Sequence, residues 1–428
     1  MVKRIFAIVS IVSIVACSTN KKAIDSQLAA NIRTDQRLQT VSTKAETLLH
    51  DGLNAGSGYG EIWIRDLNTF IELACKTGDV KKIREALLTF FKFQREDGNI
   101  VDGYIPKGTS QISYDFIYSP LAPDFAAHKN TVETDQESSL IQAINKYINV
   151  THDTSLLNEV IAGRSVAQRM EDAMNFLLTK RYSEKYGLIW GGTTIDWGDV
   201  QPEHEWGVVL DSSSHPAIDI YDNAMFVIAI NNYVAMINDA QKKKQWLQTR
   251  DQLSKNIRTY LWDASKQKFI PHVYLKGSPF PASFDENAIY YHGGTAIAIE
   301  AGLLSKKEIL ASYKQMQQNV KEAGAPSVGL TVHPVYPKGL FKNTWLVPYY
   351  YQNGGDWPWF GGRMVQQLVA NGYYKEAYEA LSPMLDMIIK NNGFSEWYDL
   401  KGTPNGSGQF RGSAGALWKA IAMMNEKL

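Results

Sequence analysis

Six short clusters of polar and aromatic residues constrain this chain more than any other feature, because each opens a stretch of helical apolar periodicity. They are Trp63-Ile64-Arg65-Asp66, Thr134-Asp135-Gln136-Glu137, Tyr221-Asp222-Asn223, Asp285-Glu286-Asn287, Asp356-Trp357-Pro358-Trp359 and Gln409-Phe410-Arg411-Gly412. They recur about every 55–85 residues, the length of one helical hairpin with its loops. A helix N-terminus carries free N–H groups and a partial positive charge, so a single acidic residue there is an ordinary cap. Six clusters in phase instead point to six inner helices whose N-termini converge on one end of a ring.

Apolar residues at 3–4 spacing predict about twelve helices, over 35–50, 64–76, 80–95, 133–150, 154–180, 218–240, 243–261, 287–303, 305–323, 356–370, 372–390 and 411–427. Strand-like alternation is sparse, with short candidates near Gly187–Trp190 and Lys268–Tyr274. Gly293-Gly294 and Gly361-Gly362 fall early in two inner helices, where small residues let backbones approach. The expected fold is all-α, an (α/α)6 toroid with short β elements in its loops. A helical solenoid would show similar loops at every turn. Here 96–132, 181–217 and 324–355 are long and rich in Gly, Pro, Asp and Trp. Long ordered loops of this kind carry function more often than not. No Gly/Ser/Pro linker splits the chain, so 35–428 reads as one domain.

The N-terminus reads as an address. Lys3 and Arg4 precede an apolar run from Ile5 to Ala16, about 12 residues, too short to span a bilayer but suited to a secretory signal. Ile14-Val15-Ala16-Cys17 resembles a bacterial lipobox, which implies a signal peptide over 1–16, lipidation at Cys17 and a tether over 17–34. Ser18 after the cysteine resembles outer-membrane signals. The expected setting is the bacterial cell envelope, with the membrane reached through this lipid anchor. Cys75 is then the one remaining cysteine; it cannot form an internal disulfide and is expected to be a small core residue. The 44 Lys+Arg balance 44 Asp+Glu, which argues against nucleic acid as a partner. With 11 Trp and 22 Tyr the chain has flat aromatic surface suited to sugars as well as to core packing.

Two carboxylates stand in loops that return from an outer helix to an inner one. Asp196 lies in Gly191-Gly192-Thr193-Thr194-Ile195-Asp196-Trp197-Gly198-Asp199, and Glu396 in Gly393-Phe394-Ser395-Glu396-Trp397-Tyr398-Asp399. Both loops are expected at the same mouth of the ring. An acid beside Trp is what glycoside cleavage requires, since an apolar neighbour raises a carboxyl pKa for proton donation while a solvated partner stays ionised. Asp199 shares the first loop and a similar aromatic setting, and competes with Asp196 for the acid role.

The clusters resemble, in order and phase, those of the six-hairpin glycosidases, particularly the glucosidase domain of glycogen debranching enzymes, with glucoamylase more distant. Trp63-Ile64-Arg65-Asp66 resembles the stretch that grips the non-reducing sugar. Thr131-Val132-Glu133-Thr134-Asp135 resembles a debranching motif. Thr194-Ile195-Asp196 is similar to the segment holding the general acid, and Ile218 to Ala224, with Asn223, to the next inner helix. Tyr351-Gln352-Asn353-Gly354-Gly355-Asp356-Trp357-Pro358-Trp359 resembles a Trp-Pro-Trp turn, and Ser395-Glu396-Trp397-Tyr398-Asp399 the segment carrying the general base. Gln352 stands where a His is common, and 96–132 has no counterpart. The resemblance implies an inverting exo-glycosidase acting on an α-glucoside or related oligosaccharide. Asp196 would be the acid and Glu396 the base. Arg65, Asp66, Asp135 and Asn223 would bind the sugar, and Trp63, Trp197, Trp357 and Trp359 would wall the pocket.

No cofactor is implied. Glu203-His204-Glu205 with His215 is the nearest approach to a metal cluster, and ligands two apart in a loop are poor evidence for one. There is no nucleophile elbow and no phosphate-binding glycine loop. The alternatives are a polysaccharide lyase on a similar toroid, which needs a group to neutralise a uronate, a phosphate-dependent relative lacking the base, and a non-catalytic sugar-binding lipoprotein.

Overall fold

The structure is a computed structural model that describes residues 24–50, 52–110 and 115–428. The expected signal segment, Cys17 and the first part of the tether lie outside the described residues. Helices α1 to α13 span Ser26–Thr34, Gln36–Leu49, Ile64–Thr77, Val80–Lys92, Gln136–Thr151, Val166–Lys180, Ile220–Met236, Ala240–Tyr260, His292–Glu300, Lys306–Ala323, Pro358–Ala370, Tyr374–Lys390 and Arg411–Asn425. The first lies in the expected tether. Its helix starts because the Asp25 carboxylate accepts from the backbone N–H of Gln27 and Leu28, and it docks through Ala29 and Ile32 and through an Arg33 hydrogen bond to the carbonyl of Leu428.

Helices α3, α5, α7, α9, α11 and α13 each pack on the next, and α13 packs back on α3 to close the ring. Outer helices α2, α4, α6, α8, α10 and α12 lie against them. The sequence explains which helix goes where. In α7, IYDNAMFVIAINNYVAM, nearly every face is buried, whereas α8, AQKKKQWLQTRDQLSKNIRTY, buries only Trp246, Leu253 and Ile257. A helix apolar all round has to sit inside, and one with a narrow stripe covers it from outside. The expected (α/α)6 toroid is the observed fold. Cys75 lies in the core, where burial pushes its thiol up to about 12.

Two predicted helices are shorter than expected. Residues 154–180 open with a 3-10 turn at Thr154–Asn158 and a tight hairpin pairing Val160–Ile161 with Arg164–Ser165. Ala162 and Gly163 take left-handed backbone there, and α6 begins only where Ser165 and Gln168 form a capping box. The helix predicted over 287–303 starts at His292, because Tyr290–Tyr291 instead pairs with Val332–His333. The long loop 96–132 contributes two strands, Gly103–Pro106 and Phe125–His128, to a three-stranded sheet with Ile62–Trp63, which leads directly into α3. The strand candidates near 187–190 and 268–274 appear as short pairs at Leu188–Ile189, Lys268–Phe269 and Val273–Tyr274.

The ring closes through close helix contact at α13. A Cβ on Gly415 would stand 2.5 Å from the Cβ and 2.6 Å from the Cα of Phe70 on α3, and one on Gly362 of α11 would meet the Ala416 Cβ at 3.0 Å. Gly415→Ala is therefore expected to lower stability by about 1–3 kcal/mol through overpacking, despite the gain in helix propensity. The check is a reduced urea midpoint at unchanged slope; a midpoint equal to that of the parent would contradict this account of closure.

Candidate active site

Direct contacts trace the convergence of the inner-helix N-termini. Arg65, in the first turn of α3, donates from Nε to Asp135 Oδ2 at 2.7 Å and from Nη2 to Oδ1 at 3.1 Å. Asp135 is the N-cap residue of α5 and also accepts from the Tyr221 hydroxyl of α7 at 2.9 Å. Trp197 reaches the start of α11, with its ring 4.6 Å from both Trp357 and Phe360, and Trp359 continues to Phe410 at the cap of α13. Asp196 binds the first turn of α9. Six helix ends and the loops above them thus enclose one polar space, as the phase of the clusters requires.

Glu396 sits on the strand Ser395–Tyr398, which pairs with Pro404–Gly408. It is buried, and both oxygens are held: Oε1 accepts from the Tyr59 hydroxyl at 3.0 Å and Oε2 from the backbone N–H of Ser407 at 2.7 Å. Burial pushes its carboxyl up to about 7, against the pull of these two donors, and the Asp199 charge adds to the rise. The same charges, Glu396, Asp66 and Asp199, push the buried Tyr59 hydroxyl upward behind the larger effect of burial. The buried Tyr351 hydroxyl responds to Asp199, Tyr59 and Glu396 in the same way. Tyr59 and Glu396 are thus joined by a hydrogen bond, and Asp66, Asp199 and Tyr351 lie close enough for charge to be felt between them.

Within the 191–199 loop the two aspartates have different surroundings. Asp196 is buried with a φ of 54°, and its Oδ2 and Oδ1 accept from the backbone N–H of Gly293 and Gly294 at 2.7 and 2.8 Å. Side chains at these glycines would strike it: a Cβ on either would lie 2.9 or 2.8 Å from its oxygens. The glycine pair makes room for this carboxylate and also, as expected, for a neighbouring helix, since a Cβ on Gly294 would stand 2.6 Å from Ile220 of α7. Burial raises the Asp196 carboxyl well above the usual range, while the two N–H bonds at the helix N-terminus pull it down. Asp196 also borders a small polar cleft with Arg65, Glu133, Trp197 and Tyr221, and Glu396 does not border it. Asp199, by contrast, is half-buried. Its Oδ1 accepts from Gln352 Nε2 at 2.8 Å, and its Oδ2 has no protein partner among the described residues.

The remaining expected site residues divide similarly. Asp66 lies beside Glu396; burial pushes its carboxyl up to about 7 and its Oδ1 has no hydrogen-bond partner. Arg65 is fully committed, since Glu133 Oε1 also lies 2.7 Å from Nη2. Asp135 orients Arg65 rather than facing the open space, and it is fully buried. Asn223 does not reach the site. Its Oδ1 accepts from Ile189 N–H, and its Nδ2 donates to the carbonyls of Ile189 and Asp219, which pins α7 to a loop strand. Of the four tryptophans, Trp197, Trp357 and Trp359 form one buried cluster with Phe360. Trp357 donates to the Tyr351 carbonyl and Trp359 to Thr69 Oγ1. They are floor rather than stacking surface. Only Trp63 is half-buried, with its ring 6.4 Å from Tyr59 and 4.5 Å from His128.

Sequence reasoning missed Tyr59 and Ser407 as partners of Glu396. A tyrosine inside Gly56-Ser57-Gly58-Tyr59-Gly60 was the available signal, since glycines permit close backbone approach around a fixed side chain. Tyr351, beside the same charges, takes φ 51°; left-handed backbone at a bulky residue marks a strained, often functional position. Among the described residues no group of three or more His, Cys, Asp and Glu is arranged to hold a metal ion.

These shifts have a consequence for stability. Burial raises the carboxyls of Glu396 and Asp66 to about 7 and that of Asp219 to about 6. The folded chain thus keeps protons that the unfolded chain has lost, so this contribution is fully present below the ordinary carboxyl range and is lost as pH rises through 7. The thermal midpoint is expected to fall between about pH 5 and 7.5, and to fall less steeply in Glu396→Gln. Parallel curves for parent and variant in a pH series of melts would contradict it.

No family model matches the chain, and no curated protein sequence does. Solved structures do. A GH63 mannosylglycerate hydrolase from Thermus thermophilus in complex with glucose superposes with a TM-score of 0.62 at 15% identity, over 90% of this chain and 99% of that one. A rhamnosidase from Klebsiella oxytoca with rhamnose bound gives 0.57 at 12% identity, over 90% of this chain and 63% of that one. A GH78 rhamnosidase from a Bacillus species gives 0.60 at 13%, over 90% and 34%. At these identities the likeness is one of fold, and the fold is the (α/α)6 toroid that these glycosidases share.

Proposed function

We propose that this protein is an inverting glycoside hydrolase in which Glu396 is the general base and Asp199, rather than Asp196, is the general acid. The observation that carries this reading is a buried Glu396 held by Tyr59 and Ser407, with the charge of Asp199 acting on it from a separate loop. The glucose and rhamnose held by similarly folded proteins support a sugar as the substrate. Glu396 has both oxygens on donors, which orient it as a carboxylate that accepts a proton from water. Asp199 has one oxygen fixed by Gln352 and the other free to deliver a proton to a glycosidic oxygen. Asp196, with both oxygens on the α9 N-terminus, acts as the anchor that holds the loop and so positions Asp199.

Hydrolysis then runs as a single displacement. Water attacks the anomeric carbon and loses its proton to Glu396, while the bond to the leaving oxygen breaks and that oxygen takes the Asp199 proton. Room for the water requires the carboxyls to stand roughly 6.5–9.5 Å apart. Asp66, with an unpartnered oxygen, hydrogen-bonds ring hydroxyls, and Trp63 walls the pocket. The pocket suits a neutral sugar. A uronate needs a free cation, and Arg65 is already shared between Asp135 and Glu133, which disfavours the lyase alternative. A binding protein has no need for a catalytic pair, which disfavours the transport alternative. The motif likeness to debranching glucosidases makes an α-glucoside the first substrate to try, with exo action. The lipobox-like Ile14-Val15-Ala16-Cys17 supports attachment to the cell envelope by a lipid on Cys17.

A second reading keeps Asp196 as the acid, because it borders the polar cleft with Trp197 and Arg65. Substitution separates the two. A panel of nitrophenyl glycosides and natural disaccharides, with the product anomer read by NMR, identifies the sugar and the stereochemistry. On the sugar so found, Asp199→Asn and Glu396→Gln are each expected to cost about 10²–10⁴ in turnover at little cost to melting temperature. Asp196→Asn is expected to lower the melting temperature, because one donor of the α9 turn loses its charged acceptor. Full activity in Asp199→Asn with loss in Asp196→Asn would reverse the assignment. Retained configuration in the product would reject the single displacement.

A further inference from the structure

Two indoles stand out at the protein surface. Trp206 is 49% and Trp345 44% exposed, yet they touch each other, with ring centroids 5.3 Å apart at 79°. They come from different long loops, the ones that carry Asp199 and Gln352. Asn343 joins the loops. Its buried amide Nδ2 donates to the Glu205 carbonyl, next to Trp206, while its Oδ1 accepts from the Trp345 backbone N–H at 2.8 Å. Lys342 N–H adds a bond to the Pro202 carbonyl at 3.1 Å. The exposed pair is thus held in place before any ligand arrives, which lowers the entropy cost of binding on it.

The pair is also continuous with the catalytic space. The Trp345 ring lies 5.7 Å from Tyr351 and 6.4 Å from Tyr350, and Tyr350 lies 4.6 Å from Trp397, the residue after Glu396. Tyr351 precedes Gln352, which holds Asp199. An aromatic path therefore runs from the carboxylates outward along the side of the Asp199 loop. A general acid stands beside the leaving group, so whatever lies past Asp199 on that side faces the leaving group and not the sugar being cleaved off.

We infer that Trp206 and Trp345 form a binding platform for the leaving-group part of a neutral oligosaccharide, so that the preferred substrate is an extended glycan rather than a monosaccharide glycoside. The inference rests on the glycosidase reading above. Sugar rings present apolar C–H faces that stack on aromatic rings, and exposed apolar surface that is preorganised and contiguous with a cleft marks a ligand site more often than scattered exposed residues do.

The test measures binding in the Glu396→Gln protein by isothermal titration calorimetry, so that it does not depend on turnover. The probes are maltopentaose, isomaltopentaose and α-1,6-mannopentaose, each against its monosaccharide. One pentasaccharide is expected to bind at least about tenfold more tightly than its monosaccharide, equal to about 1.4 kcal/mol. The combined Trp206→Ala and Trp345→Ala substitutions are expected to remove that advantage, with the monosaccharide affinity and the melting temperature retained as evidence of an intact fold. An advantage that survives the substitutions, equal affinity for short and long sugars, or no binding of any pentasaccharide would overturn the platform. Absence of hydrolysis by the parent enzyme with pentasaccharide binding intact would instead overturn the glycosidase reading and leave the platform standing.

Discussion

Charge buried at the ends of inner helices is the constraint on which this molecule depends. The first turn of a helix leaves backbone N–H groups without partners, and here six such turns meet in one place. At two of them an acidic side chain meets these N–H groups, once from a distant loop and once from the helix's own N-cap. Asp196 closes the first turn of α9 from the 191–199 loop, and Asp219 accepts from the Asp222 N–H at the start of α7. Acids gathered in this way repel one another and lose water. The protein answers with one shared guanidinium, Arg65, and by letting several carboxyls hold their protons near neutral pH. Burial and hydrogen bonding therefore act on the same groups, because a carboxyl that keeps its proton near neutral pH avoids the cost of burying its charge.

The division of labour between Asp196 and Asp199 follows from that economy. Three residues apart, they have the same side chain and the same aromatic neighbourhood in sequence. One is locked by two backbone donors in a left-handed turn, and that turn aims the rest of the loop. The other is left half-buried, with one oxygen fixed and one free. Gln352 is the residue that fixes it. The long loops have an equally definite part. Residues 181–217 and 324–355 carry the aspartates, Gln352, Tyr351 and the paired tryptophans, so they supply most of what distinguishes this cup from a bare ring of helices.

Much of the architecture was legible in the order of residues. The periodic apolar stripes of α8 and α10, the all-round apolar α7, and the six clusters in phase were enough to give a toroid and to say which helices line it. The Trp-x-Arg-Asp turn at the start of α3 was legible for the same reason, since a helix start announces itself by composition. What stayed hidden were side chains whose meaning depends on contact. Asn223 sits in a motif that suggests sugar binding, but its amide is spent on Ile189 and Asp219. Trp197, Trp357 and Trp359 look like stacking surface in sequence and prove to be a packed floor, because three large rings brought to one point bury each other. Tyr59 reaches Glu396 because residues 56–60 run beside the strand Pro404–Gly408, and Ser407 reaches it across the hairpin that pairs that strand with Ser395–Tyr398.

Local periodicity and the capping needs of each helix specify the helices and their inner or outer place. Contact between distant segments separates Asp196, held by two backbone donors, from Asp199, with one oxygen on Gln352, and the aromatic rings that pack together from those that face water. Those distinctions turn on hydrogen-bond partners and burial, and neither exists until segments distant along the chain are in contact.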